Sequence, residues 1–225
     1  MSSEPAAATA ADPRPAATVI VARDEPHAGL EFLVVRRSAD SRFAPRFIVF
    51  PGGVVERTDS ELAVAWFGEA EEIARACAVR ELAEETGLVV TAGGLVEAPG
   101  RLPGDPGLPA PGREQLTEVA RWVAPEFLPT RFDTTFFAVA AGPGLIPRSD
   151  GVETDRVWWA GAERILRAHR SGEAPLMWPT LKMLEALAEC RGMADVLRLR
   201  VEQVPPPGPG GIPGSEPRAQ ATEGG

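Results

Sequence analysis

The chain has 225 residues, of which 44% are hydrophobic and 24% charged, a composition typical of a soluble globular domain. Its length allows one domain with a sizeable core, or at most two small ones. The formal net charge of −9 argues against a general nucleic-acid or anionic-membrane surface, because both of those partners are polyanions. Cys77 and Cys190 lie far apart without metal-ligand spacing, so we expect buried thiols in a reduced compartment.

The two ends of the chain differ in composition from the middle. Residues 1–16 are mostly Ala, Pro and Ser, and residues 204–225 are rich in Pro and Gly, so we expect both to be disordered tails. The folded domain is expected over 17–203. Neither a secretory signal nor a transmembrane helix is predicted, since no apolar run has the required length and flanks. These features favour a cytoplasmic protein, and they leave a homodimer open as an alternative to a monomer.

The order of apolar runs predicts a mixed α+β or three-layer fold. Short β-branched and aromatic runs are typical of strands, whereas segments rich in Ala, Leu, Glu and Arg favour helices. The irregular alternation of the two argues against a regular βαβ array. The predicted strands are 18–22, 30–35, 47–50, 88–90, 131–140, 152–159 and 194–204. The predicted helices are an acidic helix within 71–88, then 114–123, 162–170 and 181–190, and 93–113 is predicted to be a long surface loop.

The acidic helix within 71–88 is expected to end at Gly87, where a left-handed cap would form. At about 3.6 residues per turn, Glu84 and Glu85 lie on either side of Glu81, so the three carboxylates share one arc. Like charges at this spacing destabilise a helix unless a cation neutralises them, and carboxylate oxygens are ligands that Mg²⁺ accepts. The alternative is the solvated acidic face of an ordinary amphipathic helix.

A pair of glycines, Gly52 and Gly53, follows the predicted strand at 47–50. Glycine permits backbone conformations that are closed to other residues and lets a ligand approach closely, although a glycine pair alone indicates no more than a turn. Upstream of the pair lie four arginines whose guanidinium groups could bind substrate phosphates, the alternative being solvated side chains. These arginines are Arg36, Arg37, Arg42 and Arg46.

The glycine pair and the acidic helix together resemble the box of Nudix hydrolases, Gly-x5-Glu-x7-Arg-Glu-U-x-Glu-Glu-x-Gly-U, in which U is a bulky apolar residue. Glu72 and the run from Arg80 to Leu88 match every fixed position of its second part. Strict spacing would place the first Gly at Trp66, so Gly53 is taken as its equivalent, with about 13 residues inserted before Glu72. The resemblance implies an α/β/α sandwich.

Further matches resemble a long-insert subgroup of this family, the peroxisomal coenzyme A diphosphatase type and its bacterial relatives. The coenzyme A signature is met in part: Arg37-Ser38-Ala39 fits, Arg42 comes one residue early, and Arg46 stands near the expected Gly. The segments that carry the resemblance are Arg36-Arg37-Ser38-Ala39, Arg131-Phe132-Asp133-Thr134-Thr135-Phe136-Phe137 and Pro179-Thr180-Leu181-Lys182-Met183-Leu184.

The resemblance implies hydrolysis of a diphosphate bond with Mg²⁺ or Mn²⁺ as cofactor. It implies that Glu81, Glu84 and Glu85 hold the metal, and that the glycine pair offers backbone groups to metal or phosphate. The general base is expected to be Glu81 as first choice and Glu153 as second, the alternative for Glu153 being a solvated loop acid. Arg80 cannot lose its proton, and we expect it to be a structural partner of Glu72 or another acid at the loop–helix junction.

The resemblance leaves the substrate among several small molecules. Coenzyme A or an acyl derivative is the first expectation, with ADP-ribose, NADH, other nucleoside diphosphate compounds or nucleoside triphosphates as alternatives. A binding module without catalysis is a further alternative, although every box carboxylate is present. Four aromatic side chains could stack on a base or lie in the core, and we favour the core for the two that alternate along a strand, Phe132 and Phe136. The other two are Trp66 and Phe67.

Overall fold

The computed structural model describes residues 11–41 and 43–206. Its elements form one mixed sheet with helices on both faces, together with a separate two-stranded hairpin. The strands are β1 (Arg14–Glu25), β2 (Gly29–Arg37), β3 (Ile48–Val49), β4 (Gly52–Val54), β5 (Leu88–Thr91), β6 (Gly94–Glu97), β7 (Thr117–Val123), β8 (Phe132–Ala140) and β9 (Thr154–Ala160). The helices are α1 (Arg57–Phe67), α2 (Ile73–Thr86), α3 (Ala162–Arg170), α4 (Trp178–Ala188) and α5 (Met193–Arg198).

Strand β1 lies at the centre of the 7-stranded sheet, whose order is β3-β2-β1-β8-β7, with β4 beside β1 and β9 beside β2. It pairs in parallel with β8 and antiparallel with β2 and β4. Its apolar side chains are buried on both faces, as expected for a strand with helices on either side. The pairing of Ala17 with Gly53 attaches the glycine pair directly to this central strand.

Two apolar cores lie between the sheet and its helices, one on each face of the sheet. Val19 and Val21 of β1 pack with α1 and α2, whereas Ile20 and Ala22 pack with α3, α4 and α5 on the opposite face. All four side chains are fully buried. The three-layer α/β/α sandwich that the resemblance implied is therefore confirmed.

Helix α2 is the acidic helix, and it extends to Thr86 as the sequence predicts. It follows a single 3₁₀ turn at Ala70–Glu72, and Gly87 caps it with φ of +67° and an N–H that donates to the Ala83 carbonyl. Ala76, Val79 and Leu82 are buried against the sheet, which leaves the acids along the edge of the helix nearest the glycine pair.

Two of the predicted helices and strands are wrong in type, and the predicted loop 93–113 begins with strand β6, which pairs with β5. Residues 114–123, predicted as a helix, form one 3₁₀ turn and then β7, since Thr117, Val119 and Trp122 favour a strand that pairs with β8. Residues 194–204, predicted as a strand, begin instead with helix α5, which starts after Gly192. Val201 then bridges to β7 through its N–H to the Val119 carbonyl, and the side-chain amide of Gln203 bonds the backbone of Val123.

Other boundaries shift by a few residues. Strand β1 begins at Arg14, so part of the stretch assigned to the disordered N-terminal tail is ordered; residues 1–10 and 207–225 lie outside the described part of the chain. Helix α4 begins before 181 because Pro179, in its first turn, needs no backbone N–H partner there. The segment 57–71, given no element from sequence, contains helix α1. Among the described residues, no helix is both long and apolar enough to cross a membrane.

Candidate active site

Two of the three acids of α2, Glu81 and Glu85, lie beside the glycine pair at the start of β4. The backbone N–H of Gly52 donates to Oε2 of Glu85 at 3.1 Å. A Cβ atom added to Gly53 would overlap the carboxylate of Glu81, so only glycine permits this approach. The structure thus brings Glu81 and Glu85 against the glycine pair.

Arg80 lies at the centre of this cluster, and its side chain is almost fully buried. Its Nη1 donates to Oε1 of Glu81 at 2.9 Å and to Oε2 of Glu84 at 2.8 Å. Its Nε and Nη2 donate to the two carboxylate oxygens of Asp59 at 2.7 and 3.0 Å. One arginine therefore orients two of the acids of α2 while it is anchored to a third carboxylate outside that helix.

Asp59 is the site residue that the sequence analysis missed. It lies in the first turn of α1 with 0% exposure, and its Oδ2 also accepts the N–H of Glu56. Of the two expectations for Arg80, Glu72 is not its partner, because Glu72 pairs with Arg75 and Arg113; the partner is another acid, Asp59. A signal was present: five residues separate Gly53 from Asp59, as in the first part of the box, if aspartate replaces its glutamate. The insertion then follows Asp59.

The cluster holds more buried negative charge than its arginines balance. Burial raises the pKa of Glu81 to about 7 despite the opposing effect of Arg80, and Glu84 and Glu153 raise it further. Burial also raises the pKa of Glu85, with Glu81 adding to the shift, although the Gly52 N–H and Arg37 oppose it. Carboxylates that are destabilised by burial and by one another gain most from a nearby cation.

Glu81, Glu84 and Glu85 are the residues that could hold a divalent cation. Within the described part of the chain, no three His, Cys, Asp or Glu side chains converge as a preformed metal centre, and Arg80 already engages Glu81 and Glu84. Their chemistry nevertheless fits Mg²⁺ or Mn²⁺, since they supply only oxygen ligands and carry uncompensated negative charge. Glu84 is the most accessible, with its side chain 51% exposed.

The predicted phosphate-binding arginines separate into different environments. Arg37 lies close enough to the acids to lower the pKa of Glu85, and its Nε donates to the Phe43 carbonyl at 3.0 Å. Arg36 pairs instead with Asp155 of β9 at 2.7 Å. Arg46 adopts a positive φ of 66° in the loop between β2 and β3. Arg42 lies outside the described residues.

Glu153 lies in the loop before β9, near the acids of α2. Its charge raises the pKa values of both Glu81 and Glu85, each of which is raised chiefly by burial. The structure therefore brings the second candidate base to the same cluster as the first.

The four aromatic side chains do not behave alike. Phe136 is buried in the core as we favoured, whereas Phe132 is only half-buried and meets Phe43 edge-to-face at 5.3 Å between ring centroids. Trp66 is buried and donates its indole N–H to the Pro103 carbonyl at 2.9 Å, and Phe67 packs against its ring. Of the four, Phe132 is thus the one with a partly accessible ring near the loop that carries Arg46.

Comparison with known proteins identifies the family. A model of the NUDIX domain matches residues 12–177, and the chain therefore belongs to the NUDIX domain family. Over 62 residues it is 44% identical to the putative nudix hydrolase 7 of Caenorhabditis elegans. That match covers 28% of this chain and 18% of the relative, so the chain spans less than a fifth of the length of this curated protein.

Two solved structures are similar in fold. The NUDIX hydrolase from Alicyclobacillus acidocaldarius superposes with a TM-score of 0.69 at 29% identity, covering 84% of this chain and 98% of that one. The NUDIX domain of Shewanella oneidensis NrtR, solved in complex with ADP ribose, gives a TM-score of 0.51 at 15% identity, with 78% and 86% covered. At that lower identity the likeness shows the fold alone.

The two glycines should fail in different ways when each is replaced by alanine. Gly52→Ala would clash with the backbone of Ala17 and Thr18, so we expect destabilisation of about 1–3 kcal/mol, seen as a lower midpoint in urea. In Gly53→Ala the nearest atoms to the new Cβ belong to the flexible end of Glu81, so the stability should change by less than about 1 kcal/mol. Displacing Glu81 should instead weaken Mn²⁺ binding in calorimetry by about 10–100-fold. Equal effects of the two variants on stability would contradict this assignment.

Asp59→Asn should destabilise the fold by about 3–5 kcal/mol, because it leaves the buried charge of Arg80 without its main counter-ion. Asp133→Asn is the matched control: it removes the partner of Arg121 on the surface of the sheet and should cost less than about 1 kcal/mol. Urea unfolding of both variants measures the difference. A stability of Asp59→Asn equal to that of the control would show that Arg80 does not depend on Asp59.

The metal-free protein should lose stability as the pH rises from 5 to 8. The pKa of Glu81 is about 7 in the folded chain against an ordinary value of 4.5, so between these values the folded state binds the proton more tightly. Its contribution is therefore present below about pH 4.5 and is lost by about pH 7, a change of up to about 3 kcal/mol.

Unfolding in EDTA across this pH range measures the slope, to which Glu85 should contribute in the same direction. Glu81→Gln should reduce it, whereas Glu118→Gln, on the exposed face of β7, should not. A slope that is unchanged in Glu81→Gln would argue against the buried, destabilised carboxylate.

Proposed function

We propose that the chain is a hydrolase that requires Mg²⁺ or Mn²⁺ and cleaves the diphosphate bond of a nucleoside diphosphate linked to a second group. The observation that carries this proposal is the approach of Glu81 and Glu85 to the Gly52–Gly53 pair in β4, with Arg80 orienting Glu81 and Glu84. Membership of the NUDIX domain family supports it. In this proposal the three glutamates hold the cation and the glycine pair presents backbone groups to it or to phosphate.

A bound divalent cation would neutralise the charge of the diphosphate and favour attack by water. The chain itself must orient the carboxylates, accept a proton from the water and hold the phosphates. Glu81 and Glu153 are the candidate bases. A group that titrates near neutral pH is suited to this task, which supports Glu81. The ion pair of Glu81 with Arg80 opposes protonation of Glu81, which supports Glu153 instead.

The backbone conformation of the loop between β2 and β3 supports substrate binding by the arginines at its start and within it. Two non-glycine residues there, Ala44 and Arg46, have positive φ values of 46° and 66°. Such conformations cost on the order of 1–3 kcal/mol each and are found at functional sites. The N–H of Arg46 donates to the carbonyl of Arg37, so the loop is folded back toward the arginine that lies near the acids.

The substrate proposed first is coenzyme A or an acyl derivative, on the strength of the Arg37-Ser38-Ala39 segment at the start of this loop. ADP-ribose, NADH and nucleoside triphosphates are the alternatives. A module that binds nucleotides without hydrolysing them is the remaining alternative. The net charge of −9 favours a small-molecule partner over nucleic acid. A cytoplasmic location and a homodimer remain proposals.

Incubation with Mg²⁺ and a panel of coenzyme A, acetyl-coenzyme A, ADP-ribose, NADH and nucleoside triphosphates tests the activity. We expect coenzyme A or its acyl form to be cleaved to 3′,5′-ADP and a 4′-phosphopantetheine product, separable by chromatography. Glu84→Gln should lower kcat by about 100-fold or more, because it removes an accessible ligand of the cation. Its melting temperature should stay close to that of the wild type, since the side chain is half exposed.

Glu163→Gln, in an exposed pair on α3, is the control and should retain full activity. Full activity of Glu84→Gln would remove Glu84 from the metal site. Binding of ADP-ribose without turnover of any compound would support the binding module instead.

A further inference from the structure

Asp150, in the loop that precedes β9, accepts hydrogen bonds from three consecutive residues. Its Oδ1 receives the backbone N–H of Val152 at 3.2 Å, the N–H of Thr154 at 2.9 Å and the hydroxyl of Thr154 at 2.9 Å. Its Oδ2 receives the N–H of Glu153 at 3.1 Å. Partial burial would raise the pKa of Asp150, but these donors hold it below its ordinary value. The carboxylate thus stays ionised and fixes the backbone on both sides of Glu153.

The same loop is tied to the end of α2. The N–H of Arg148 donates to the Thr86 carbonyl at 2.7 Å, and the hydroxyl oxygen of Thr154, whose hydrogen is donated to Asp150, lies 3.5 Å from the Glu85 carbonyl oxygen. Because Glu85 is itself one of the three acids of α2, the loop and the acid cluster share a fixed geometry. Apolar packing does not supply this order, since Val152 is 76% exposed.

A third set of contacts holds Glu153 from the side of the β2–β3 loop. The backbone carbonyl of Glu153 accepts the N–H of Ser38 at 2.9 Å and the hydroxyl of Ser41 at 3.4 Å. Its N–H and its carbonyl are therefore both engaged, the first by Asp150 and the second by the loop that contains the arginines. Within residues 11–41 and 43–206, its own carboxylate forms no ion pair, which leaves its oxygens available to accept a proton.

We propose that Asp150 is a positioning residue that holds Glu153 beside the acids of α2, where the Glu153 carboxylate accepts the proton of the attacking water. This inference rests on the proposed function. The water oxygen forms the new bond to phosphorus as its proton passes to Glu153. The anhydride P–O bond breaks with its electron pair on the departing phosphate. Asp150 touches neither water nor substrate and acts only through the backbone of residues 152–154.

The two simple replacements of Asp150 have different consequences. Asp150→Ala removes all four hydrogen bonds. Asp150→Asn retains an oxygen that can accept from Val152 and Thr154, but its amide nitrogen cannot accept the N–H of Glu153. A general base contributes about 10²–10⁴-fold, so Glu153→Gln should lower kcat by at least about 100-fold. We expect Asp150→Ala to lower kcat by about 10-fold or more with little change in KM, and Asp150→Asn to recover part of that loss.

The experiment measures kcat and KM for the best substrate of the panel in the wild type, these three variants and the double variant Asp150→Ala with Glu153→Gln. The double variant should be no slower than Glu153→Gln alone, because Asp150 has no effect once the base is absent. Mn²⁺ affinity measured by calorimetry should stay within about twofold in the Asp150 variants, since the acids of α2 are untouched. Asp195→Ala is the matched control, because Asp195 likewise accepts a backbone N–H, from Arg191, at a turn remote from the acids.

Several results would overturn the inference. These are a kcat of Asp150→Ala equal to that of the Asp195→Ala control, a further loss on adding it to Glu153→Gln, a parallel loss of Mn²⁺ affinity, or full activity of Glu153→Gln. Each of these leaves the proposed function standing, because the wild type still hydrolyses its substrate. A wild type that hydrolyses nothing in the panel overturns the proposed function and this inference with it.

Discussion

The site depends on the buried fork of Arg80. A guanidinium group removed from water must be paired, and breaking such a pair costs about 3–5 kcal/mol. Here Asp59 provides both oxygens of one carboxylate, and Glu81 and Glu84 share the remaining nitrogen, Nη1. Because Asp59 belongs to α1 and the glutamates belong to α2, this one side chain fixes the two helices relative to each other. It also sets the direction of two carboxylates that the proposed chemistry requires.

The same arrangement explains why the acids remain poised for a cation. A single guanidinium group cannot satisfy Asp59, Glu81 and Glu84 equally. Glu85 is held mainly by the backbone N–H of Gly52. Burial and mutual repulsion therefore keep the pKa values of Glu81 and Glu85 high in the metal-free chain. A divalent ion would relieve this repulsion without removing Arg80 from Asp59. The repulsion thus lowers the stability of the metal-free fold, and in the proposed function binding of a cation would restore it.

Local sequence predicted those parts of the fold that local chemistry determines. The continuous helix formers of α2, its glycine cap and the β-branched runs of β1 and β8 need little tertiary help. The type of β7 was wrong because its residues tolerate either state, and pairing with β8 decides between them. The prediction of a strand at 194–204 was wrong because a glycine and an aspartate start a short helix inside this apolar stretch. Neither outcome can be derived from periodicity over so few residues.

Within the site, sequence predicted the acids of α2 and the glycine pair but not Asp59. The motif fixes residue types at set spacings, and an aspartate where glutamate is expected, followed by an insertion, moved the alignment to Glu72. The structure separates the two acids by their partners: Asp59 is wholly buried with Arg80, whereas Glu72 joins Arg75 and Arg113. Asp150 escaped notice because its role depends on hydrogen bonds to backbone, which no residue pattern reveals.

The inserted segment packs against α2 and stabilises the cluster. Its helix α1 buries Ala63 and Trp66 against α2, and the Trp66 indole N–H bonds the Pro103 carbonyl of the long loop after β6. Arg113, just beyond that loop, forms ion pairs with Glu69 and Glu72. Asp59, in the first turn of α1 directly before the insert, is thereby held beside Arg80. In the proposed function, selection among substrates falls to the β2–β3 loop and to the loop of Glu153, which meet through the hydrogen bonds that Ser38 and Ser41 donate to the Glu153 carbonyl.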